Sequence, residues 1–381
     1  MIKKRMFIFL FFLILISLII YRAPCLFTAN SFRSFFNETA FYVFSSKNNF
    51  LDSIFYVYPY ASYFELWTNI SGKFASFFPN YSSLVDVYFA LIIKLIIFLY
   101  IFYSNSTLFY NVKYKILAIC LILFSPPMTP EVWLTTIHSK SYFGIFTFIL
   151  LFQNFDNLNT FKKSIYRFFI VFNGLCSIYS TILSPIFFLK YLFEKKRDDL
   201  VNFLFSLIPL IINIIIFIKY ALLQSSTNRF LFDWSKIENF AYNILIRPIF
   251  GSTIPKFIHN KLSIETGSLI IIAFCIIFIF LISILRNLYF NRDRASLLII
   301  SSFLLHSIFI FFGSLYSDFV GGRYAVIPGI ILLTLFIRFF QIEQNYLFKY
   351  VLAFIIFSSL SVGLVEFKYL TPLPELLKCR I

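Results

Sequence analysis

Charged residues are scarce in this chain of 381 residues. Asp, Glu, Lys and Arg make up 13% of it, against about 25% in an average globular domain. Hydrophobic residues account for 60% and aromatic residues for 22%. A soluble domain of this size needs more polar side chains to cover its surface. The composition therefore excludes a cytosolic enzyme, a secreted disulfide-bonded module and a disordered chain, and it favours a protein dissolved in the lipid bilayer.

Cysteine and histidine are also few, at five and three residues. No two cysteines form a Cys-x-x-Cys pair, and no His or Cys lies at the spacing of zinc ligands. The sequence also lacks the glycine-rich nucleotide-binding motifs, the His-Glu-x-x-His motif and the Gly-x-Ser-x-Gly motif. We therefore predict neither a structural metal nor a cofactor.

Long apolar runs dominate what is present, and they predict an all-α bundle of transmembrane helices in a single integral membrane domain, residues 1–381. The first run has the look of a signal peptide, but no small-x-small cleavage site follows it, so we interpret it as an uncleaved span. The stretch 164–195 is too long for one upright helix and contains Ser184-Pro185, so we predict a hairpin of two short spans. About eleven spans result: 6–21, 84–104, 114–127, 140–153, 164–182, 185–195, 199–219, 266–285, 295–312, 325–340 and 349–365.

The basic residues predict the orientation of these spans. With the N-terminus inside, only Lys140 and Arg323 fall in short outer loops. This difference in the number of basic residues between the two sides disappears if the stretch 164–195 crosses the membrane only once. We therefore predict a bacterial plasma-membrane protein with a cytoplasmic N-terminus and a periplasmic C-terminus, whose net charge of +16 faces anionic lipid and not nucleic acid. The inner basic residues are Lys3, Lys4, Arg5, Lys113, Lys115, Lys162, Lys163, Arg167, Lys190, Lys195, Lys196, Arg197, Arg286, Arg292, Arg294, Arg338 and Lys349.

Two predicted outer loops are long, 22–83 and 220–265. The first is rich in Tyr, Phe and Trp, which favour the membrane interface because the ring is apolar and the tip of Tyr or Trp is polar. We predict that 52–67 and 71–78 form short helices lying on the outer membrane surface. A long aromatic loop of this kind is a place where function is expected.

Candidate functional residues lie at the outer ends of the predicted spans. A carboxylate at Glu38, at the bilayer edge, is suited to take a proton from a hydroxyl group; the alternative is a plain interfacial Glu. Glu131, His138 and Lys140 surround the start of the fourth span and could orient a sugar or bind a phosphate. The alternative for these three is a loop with solvated charges.

Arg323 follows Gly321 and Gly322, which would let the backbone approach a ligand closely. Its planar guanidinium suits a phosphate group, although an arginine at a helix end can also reach lipid headgroups. Two further ionisable residues, Lys94 and His306, lie in the middle of predicted spans. Either could line a cavity, or Lys94 could extend to the surface and His306 could bond to a neighbouring helix.

Taken together, these features resemble the polytopic bacterial glycosyltransferases of the GT-C superfamily, and in particular the O-antigen glucosyltransferase-like group. The resemblance rests on the first-loop acid, the interfacial aromatic residues, the segment from Pro127 through Glu131 to Thr136, the Ser-Pro hairpin, and Gly-Gly-Arg-Tyr ending at Tyr324. It covers most of the chain as a pattern and includes no single diagnostic motif. It implies a GT-C-like helical bundle.

The resemblance also implies an activity: inverting transfer of a sugar from a polyprenyl-phosphate donor to a surface polysaccharide or lipid-linked glycan at the outer face. By this comparison, Glu38 is the general base, Arg323 with Lys140 binds the donor phosphate, and Glu131, His138 and Tyr324 contact substrate. The family often has two acids where this chain has Asn37-Glu38, which argues against a metal bridged by an acid pair.

Two other functions remain open at this point. An O-antigen polymerase or ligase has similar size and also uses lipid-linked glycan, and Arg229 and Arg247 could mimic its paired loop arginines. A multi-pass transporter or lipid-linked glycan flippase predicts inverted repeats and polar residues at mid-depth. No repeat is evident in the sequence, and Lys94 and His306 are the only ionisable candidates at that depth.

Overall fold

A computed structural model describes residues 11–20, 49–58, 63–109, 111–126, 133, 135–156, 158–220, 234–251, 293–313 and 323–369. The regular structure of these residues is helical, apart from a β-bridge between Ser106 and Gln153. The α-helices are α1 (Phe11–Ile20), α2 (Phe50–Ile54), α3 (Leu66–Phe77), α4 (Ser82–Tyr103), α5 (Val112–Phe124), α6 (Ser139–Leu151), α7 (Thr160–Cys176), α8 (Ile178–Thr181), α9 (Ser184–Glu194), α10 (Arg197–Lys219), α11 (Trp234–Ala241), α12 (Arg247–Phe250), α13 (Arg294–Gly313), α14 (Val326–Ile342) and α15 (Tyr346–Tyr369).

Short helical turns complete the described part. Pro79–Tyr81 and Arg323–Ala325 are 3-10 helices that precede α4 and α14, and Tyr242–Ile246 is a π-helical turn joining α11 to α12. Helices occupy every predicted span that the described residues cover, whereas the predicted span 266–285 lies outside them. The sequence therefore located the helices of these apolar spans to within a few residues.

Four of the described helices are long and apolar enough to cross a membrane: α10, α13, α15 and the segment Leu84–Tyr103 of α4. Exposed apolar side chains point outward from them, for example Ile218 at 67% exposure and Phe357 at 70%. An exposed apolar surface on long apolar helices indicates contact with lipid. The count of about eleven spans remains a prediction, because several described helices are shorter than this.

Two short helices form the centre of the bundle. Every residue of α6 is buried, as is α14 from Val326 to Phe339. A helix that is apolar on all sides must be surrounded by protein. At 13 residues, α6 rises about 20 Å, less than the hydrocarbon thickness of about 30 Å, so the longer helices around it make up the outer wall.

The predicted break in the stretch 164–195 is present, and the crossing of the membrane by each part remains a prediction. After α7 ends at Cys176, the short helix α8 intervenes, and α9 begins at Ser184 with Pro185 in its first turn. Proline suits this position because its missing N–H has no partner in the first turn of a helix. Ser184 Oγ donates to the carbonyl of Ser206 in α10 at 2.9 Å, which fixes the start of α9 against its neighbour.

The helices run alternately between two ends of the bundle, and polar contacts define each end. At one, which we name the Gln153 end, Lys190 donates to the Leu151 carbonyl and Arg338 donates to the Thr107 carbonyl. At the other, the Lys140 end, Ser177 Oγ donates to the Lys140 carbonyl at 2.6 Å. The predicted inner basic residues that form the described ion pairs all lie at the Gln153 end: Lys163, Arg167, Lys190, Lys196 and Arg338.

The first predicted outer loop differs from expectation in part. The prediction of one helix over 52–67 is wrong for most of its described residues, because α2 spans only Phe50–Ile54 and neither Tyr56–Tyr58 nor 63–65 is helical. Pro59 follows, and the residue before a proline disfavours helix. The helix predicted at 71–78 exists but begins earlier, at Leu66. Asn69 Nδ2 holds the two helices together by donating to the carbonyls of Ile54 and Tyr56, each at 2.8 Å.

Candidate functional site

Three polar side chains from distant parts of the sequence meet at the Lys140 end. Tyr63 and Glu65 precede α3, and Lys140 lies in the first turn of α6. Lys140 Nζ donates to Glu65 Oε1 at 2.9 Å and to the Tyr63 hydroxyl oxygen at 2.5 Å, and it lies 5.0 Å from the centre of the Tyr63 ring. We call these three residues the Lys140 cluster.

Burial makes the ion pair in this cluster strong. The Glu65 side chain is 1% exposed and that of Lys140 is 10% exposed. An ion pair removed from water is screened little, and each charge depends on the other to offset its desolvation. The second carboxylate oxygen of Glu65, Oε2, is buried and has no hydrogen-bond partner among the described residues. The cluster therefore holds one acceptor atom that the described protein does not use.

A buried asparagine of α10 holds the backbone of this loop in place. Asn213 Oδ1 accepts the Phe64 N–H at 2.9 Å, while its Nδ2 donates to the carbonyls of Pro209 at 3.0 Å and Gly174 at 3.3 Å. One side chain thus connects α10, α7 and the segment between Tyr63 and Glu65. Because buried backbone groups need partners, this bond holds the backbone next to Glu65 in place.

Electrostatic effects keep Tyr63 protonated. Burial raises the pKa of the Tyr63 hydroxyl, and the nearby Glu65 carboxylate acts in the same direction, whereas Lys140 opposes both without cancelling them. Tyr324, in the 3-10 helix before α14, lies close enough to raise that pKa further. Tyr63 therefore remains a neutral phenol at physiological pH, with an O–H available for donation. Both tyrosines keep partial exposure.

A second layer of polar groups supports the same end. Asp86, in the first turns of α4, accepts hydrogen bonds from the backbone N–H and the hydroxyl of Thr136. Lys94 is fully buried, and its ammonium lies 3.9 Å from the centre of the Trp133 ring and 4.5 Å from that of Tyr142. The faces of aromatic rings attract cations, so the side chain of Lys94 extends from mid-helix toward the Lys140 end.

The other mid-span residue, His306, bonds to a neighbouring helix, as one of its two interpretations predicted. Its Nε2 lies 3.0 Å from the carbonyl oxygen of Tyr179 in α8, and its Nδ1 lies 2.8 Å from that of Ser302 one turn earlier in α13. The ring is fully buried. His306 therefore connects α13 to the break between α7 and α9.

The predicted site residues fall into three groups. Lys140 and Tyr324 meet the first-loop segment in the Lys140 cluster and beside it. His138 is buried at the N-cap of α6, where its carbonyl accepts the Ser141 N–H. Glu38 and Glu131 lie outside the described residues, and for Arg323 the structure describes the backbone, which opens the 3-10 helix containing Tyr324.

Sequence reasoning missed Tyr63, Glu65 and Asn213. In the described structure, the first-loop acid that contacts Lys140 is Glu65, which lies within the aromatic stretch of that loop. Asn213 offered a clear signal, since it is a single polar residue in an isoleucine-rich run, and polar residues inside spans are often structural or functional.

The opposite end carries a dense set of ion pairs around a cavity of about 90 Å³. Lys190 pairs with Asp199 at 3.1 Å, and Lys196 pairs with Asp156 at 2.6 Å. Asp198 accepts from both Lys163 and Arg167 at 2.6 Å. Each of these carboxylates already has a cation, and among the described residues no three His, Cys, Asp or Glu side chains group to hold a metal ion. This end is built to join helices.

Comparisons with known proteins find no matching family model, no matching curated protein and no matching solved structure. The functional interpretation therefore depends on the residues and their geometry.

Proposed function

We propose that this chain is a membrane glycosyltransferase that moves a sugar from a polyprenyl-phosphate donor to a cell-surface glycan, with its site at the Lys140 end. One observation carries the proposal: the first-loop segment, the start of α6 and the start of α14 converge there. These are the three regions in which the resemblance to GT-C enzymes places the site. The Lys140 end corresponds to the outer face if the basic Gln153 end faces the cytoplasm.

The chemistry follows from the types of group that gather at this end. The acceptor hydroxyl oxygen forms a bond to the anomeric carbon as the bond from that carbon to the phosphate oxygen breaks. The acceptor proton passes to a carboxylate, which the resemblance assigns to Glu38. Polyprenyl phosphate leaves with the electron pair, and positive charge nearby stabilises it. Because Glu65 already compensates Lys140, we assign the larger share of that role to Arg323.

A membrane-edge location suits both substrates. The polyprenyl tail can stay among the exposed apolar side chains of the outer helices while the acceptor arrives from water. Aromatic residues around α2 and α3 are exposed, including Phe55 and Phe77 at 65% and 61%, as expected for a segment at the interface.

The transporter alternative draws less support from the same helices. Transport through the bundle would use polar groups at mid-depth, but Lys94 lies against two aromatic rings and His306 bonds to two backbone carbonyls. Both side chains are fully buried. These contacts are those of groups that join helices.

The proposal is tested by sugar transfer from polyprenyl-phosphate-linked glucose and related hexose donors, with membranes containing the protein and its native glycan acceptors. We expect transfer by the wild type, and losses of at least about tenfold in Glu38→Gln and Arg323→Ala. Glu343→Gln, at the Gln153 end, is the matched control and should retain wild-type activity. No transfer by the wild type from any donor, or equal activity in all variants, would reject the proposal.

Sidedness is tested separately by labelling cysteines with a membrane-impermeant maleimide in intact cells, in a background without native cysteines. Asn80 and Gln344 are exposed residues at opposite ends of the bundle. Asn80→Cys should react from outside and Gln344→Cys only after permeabilisation. The reverse pattern would place the Lys140 end in the cytoplasm and remove the basis for a donor used at the outer face.

A further inference from the structure

Two polar groups of the Lys140 cluster have no hydrogen-bond partner among the described residues. The Tyr63 oxygen accepts from Lys140, an ammonium that can only donate, so the phenol proton must point elsewhere. Among the described residues no acceptor receives that O–H. Beside it, Glu65 Oε2 is a buried acceptor without a donor. The cluster thus presents one unused donor and one unused acceptor, both positioned by the same lysine.

From this pairing we infer that Tyr63 and Glu65 together bind one hydroxyl group of a carbohydrate substrate. The substrate oxygen accepts the Tyr63 O–H, and the substrate O–H donates to Glu65 Oε2. Lys140 positions both residues through its bonds to the Tyr63 oxygen and to Glu65 Oε1. The inference rests on the proposed function, since it specifies how that same site recognises its sugar.

Other ligand groups fit this arrangement less well. A phosphate or carboxylate oxygen could accept from Tyr63 but would meet the like charge of Glu65. An ammonium could donate to Glu65 but would meet the Tyr63 proton and the Lys140 charge. A hydroxyl group both donates and accepts, so it can satisfy both partners at once. A site that is built around a hydroxyl discriminates strongly against ligands without one, because its buried groups then stay unpaired.

The test measures binding of methyl hexopyranosides by ligand-detected NMR, with the full-length protein in lipid nanodiscs. The panel contains several parent sugars and, for each, the analogues in which one hydroxyl is replaced by hydrogen or fluorine. We expect at least one parent glycoside to bind the wild type. Tyr63→Phe should weaken it about fivefold and Glu65→Gln about tenfold, as expected for one neutral and one charge-assisted hydrogen bond.

The analogues identify the shared hydroxyl. One deoxy sugar lacks both bonds, so it should bind the wild type more weakly than the parent binds either single variant, and it should lose nothing further on Tyr63→Phe, because the bond to Tyr63 is already absent. Tyr103→Phe and Glu194→Gln, two residues at the Gln153 end, are the matched controls and should bind like wild type. If Glu65→Gln does not fold, Tyr63→Phe and the deoxy series still decide the question.

The inference and the proposed function fail separately. If no glycoside binds the wild type, or if Tyr63→Phe binds every analogue as the wild type does, the hydroxyl site is wrong, even where transfer activity is present. If the glycosides and variants behave as expected but no donor supports transfer, the hydroxyl site stands and the transferase proposal falls.

Discussion

Breaking the ion pair of the Lys140 cluster should destabilise the protein strongly. Glu65 and Lys140 are 2.9 Å apart, and their side chains are 1% and 10% exposed. Replacing Glu65 by Gln leaves a buried ammonium without its counter-charge, and replacing Lys140 by Met leaves a buried carboxylate. Removal of one partner of a buried pair costs about 3–5 kcal/mol, whereas removal of both charges costs much less.

The double variant makes this reasoning quantitative. If the two charges act on each other, Glu65→Gln combined with Lys140→Met should unfold within about 1–2 kcal/mol of wild type, far from the sum of the single effects. Unfolding is followed by tryptophan fluorescence in mixed micelles as the fraction of SDS rises. The free energy of unfolding is the quantity compared.

An exposed ion pair supplies the control. Lys196 and Asp156, at the Gln153 end, are 2.6 Å apart but 42% and 49% exposed. Lys196→Met should cost no more than about 1 kcal/mol, because solvent screens such pairs. The reasoning would be refuted if the single substitutions in the Lys140 cluster cost as little as Lys196→Met. It would also be refuted if the free-energy changes of the two single variants simply added in the double variant.

Three further predictions concern the supporting structure. Gly363→Ala should destabilise the protein by about 1–3 kcal/mol, because its Cβ would overlap a backbone carbonyl of α5. Gly313→Ala is the control and should not destabilise it, since its Cβ meets only a phenylalanine ring at 3.7 Å. Equal SDS midpoints for the two variants would contradict this prediction. Asn213→Leu removes the partner of the Phe64 N–H. This variant should lower the stability of the protein by about 1–3 kcal/mol and should also lower sugar transfer. Unchanged stability and transfer would show that the loop does not depend on Asn213. Burial raises the pKa of Asp293, but hydrogen bonds from Arg338 and a nearby serine lower it more, so this pKa lies below 3.8. The Asp293 carboxylate should therefore stabilise the protein above about pH 4 and lose this effect as the pH falls further. A difference in stability between wild type and Asp293→Asn that does not shrink in acid would contradict the pairing.

The helices were predictable because apolar runs leave the chain few alternatives in a bilayer. The break within 164–195 was predictable for a second reason, since both Pro185 and the distribution of basic residues favoured a reversal there. The aromatic stretch before α3 was not predictable in the same way. Its apolar rings are typical of an interfacial helix, yet most of 52–67 is not helical in the described structure.

The candidate site was predictable only in part. Lys140 was identified from its place at a helix end, where charged residues near the interface are informative, and Tyr324 from the resemblance. Glu65 was not, because its partner is 75 residues away in the sequence and the pairing depends on how α3 packs beside α6. No local pattern encodes such a contact, whereas the isolated Asn213 did carry a readable signal.

Photo-crosslinking with a diazirine-bearing polyprenyl-phosphate glucose, followed by mass spectrometry of the labelled peptides, tests the central claim most directly. The account predicts labels in the peptides that contain Tyr63, Lys140 and Tyr324, and competition by the unmodified donor. Labels at the Gln153 end, or labels that the unmodified donor does not displace, would contradict it.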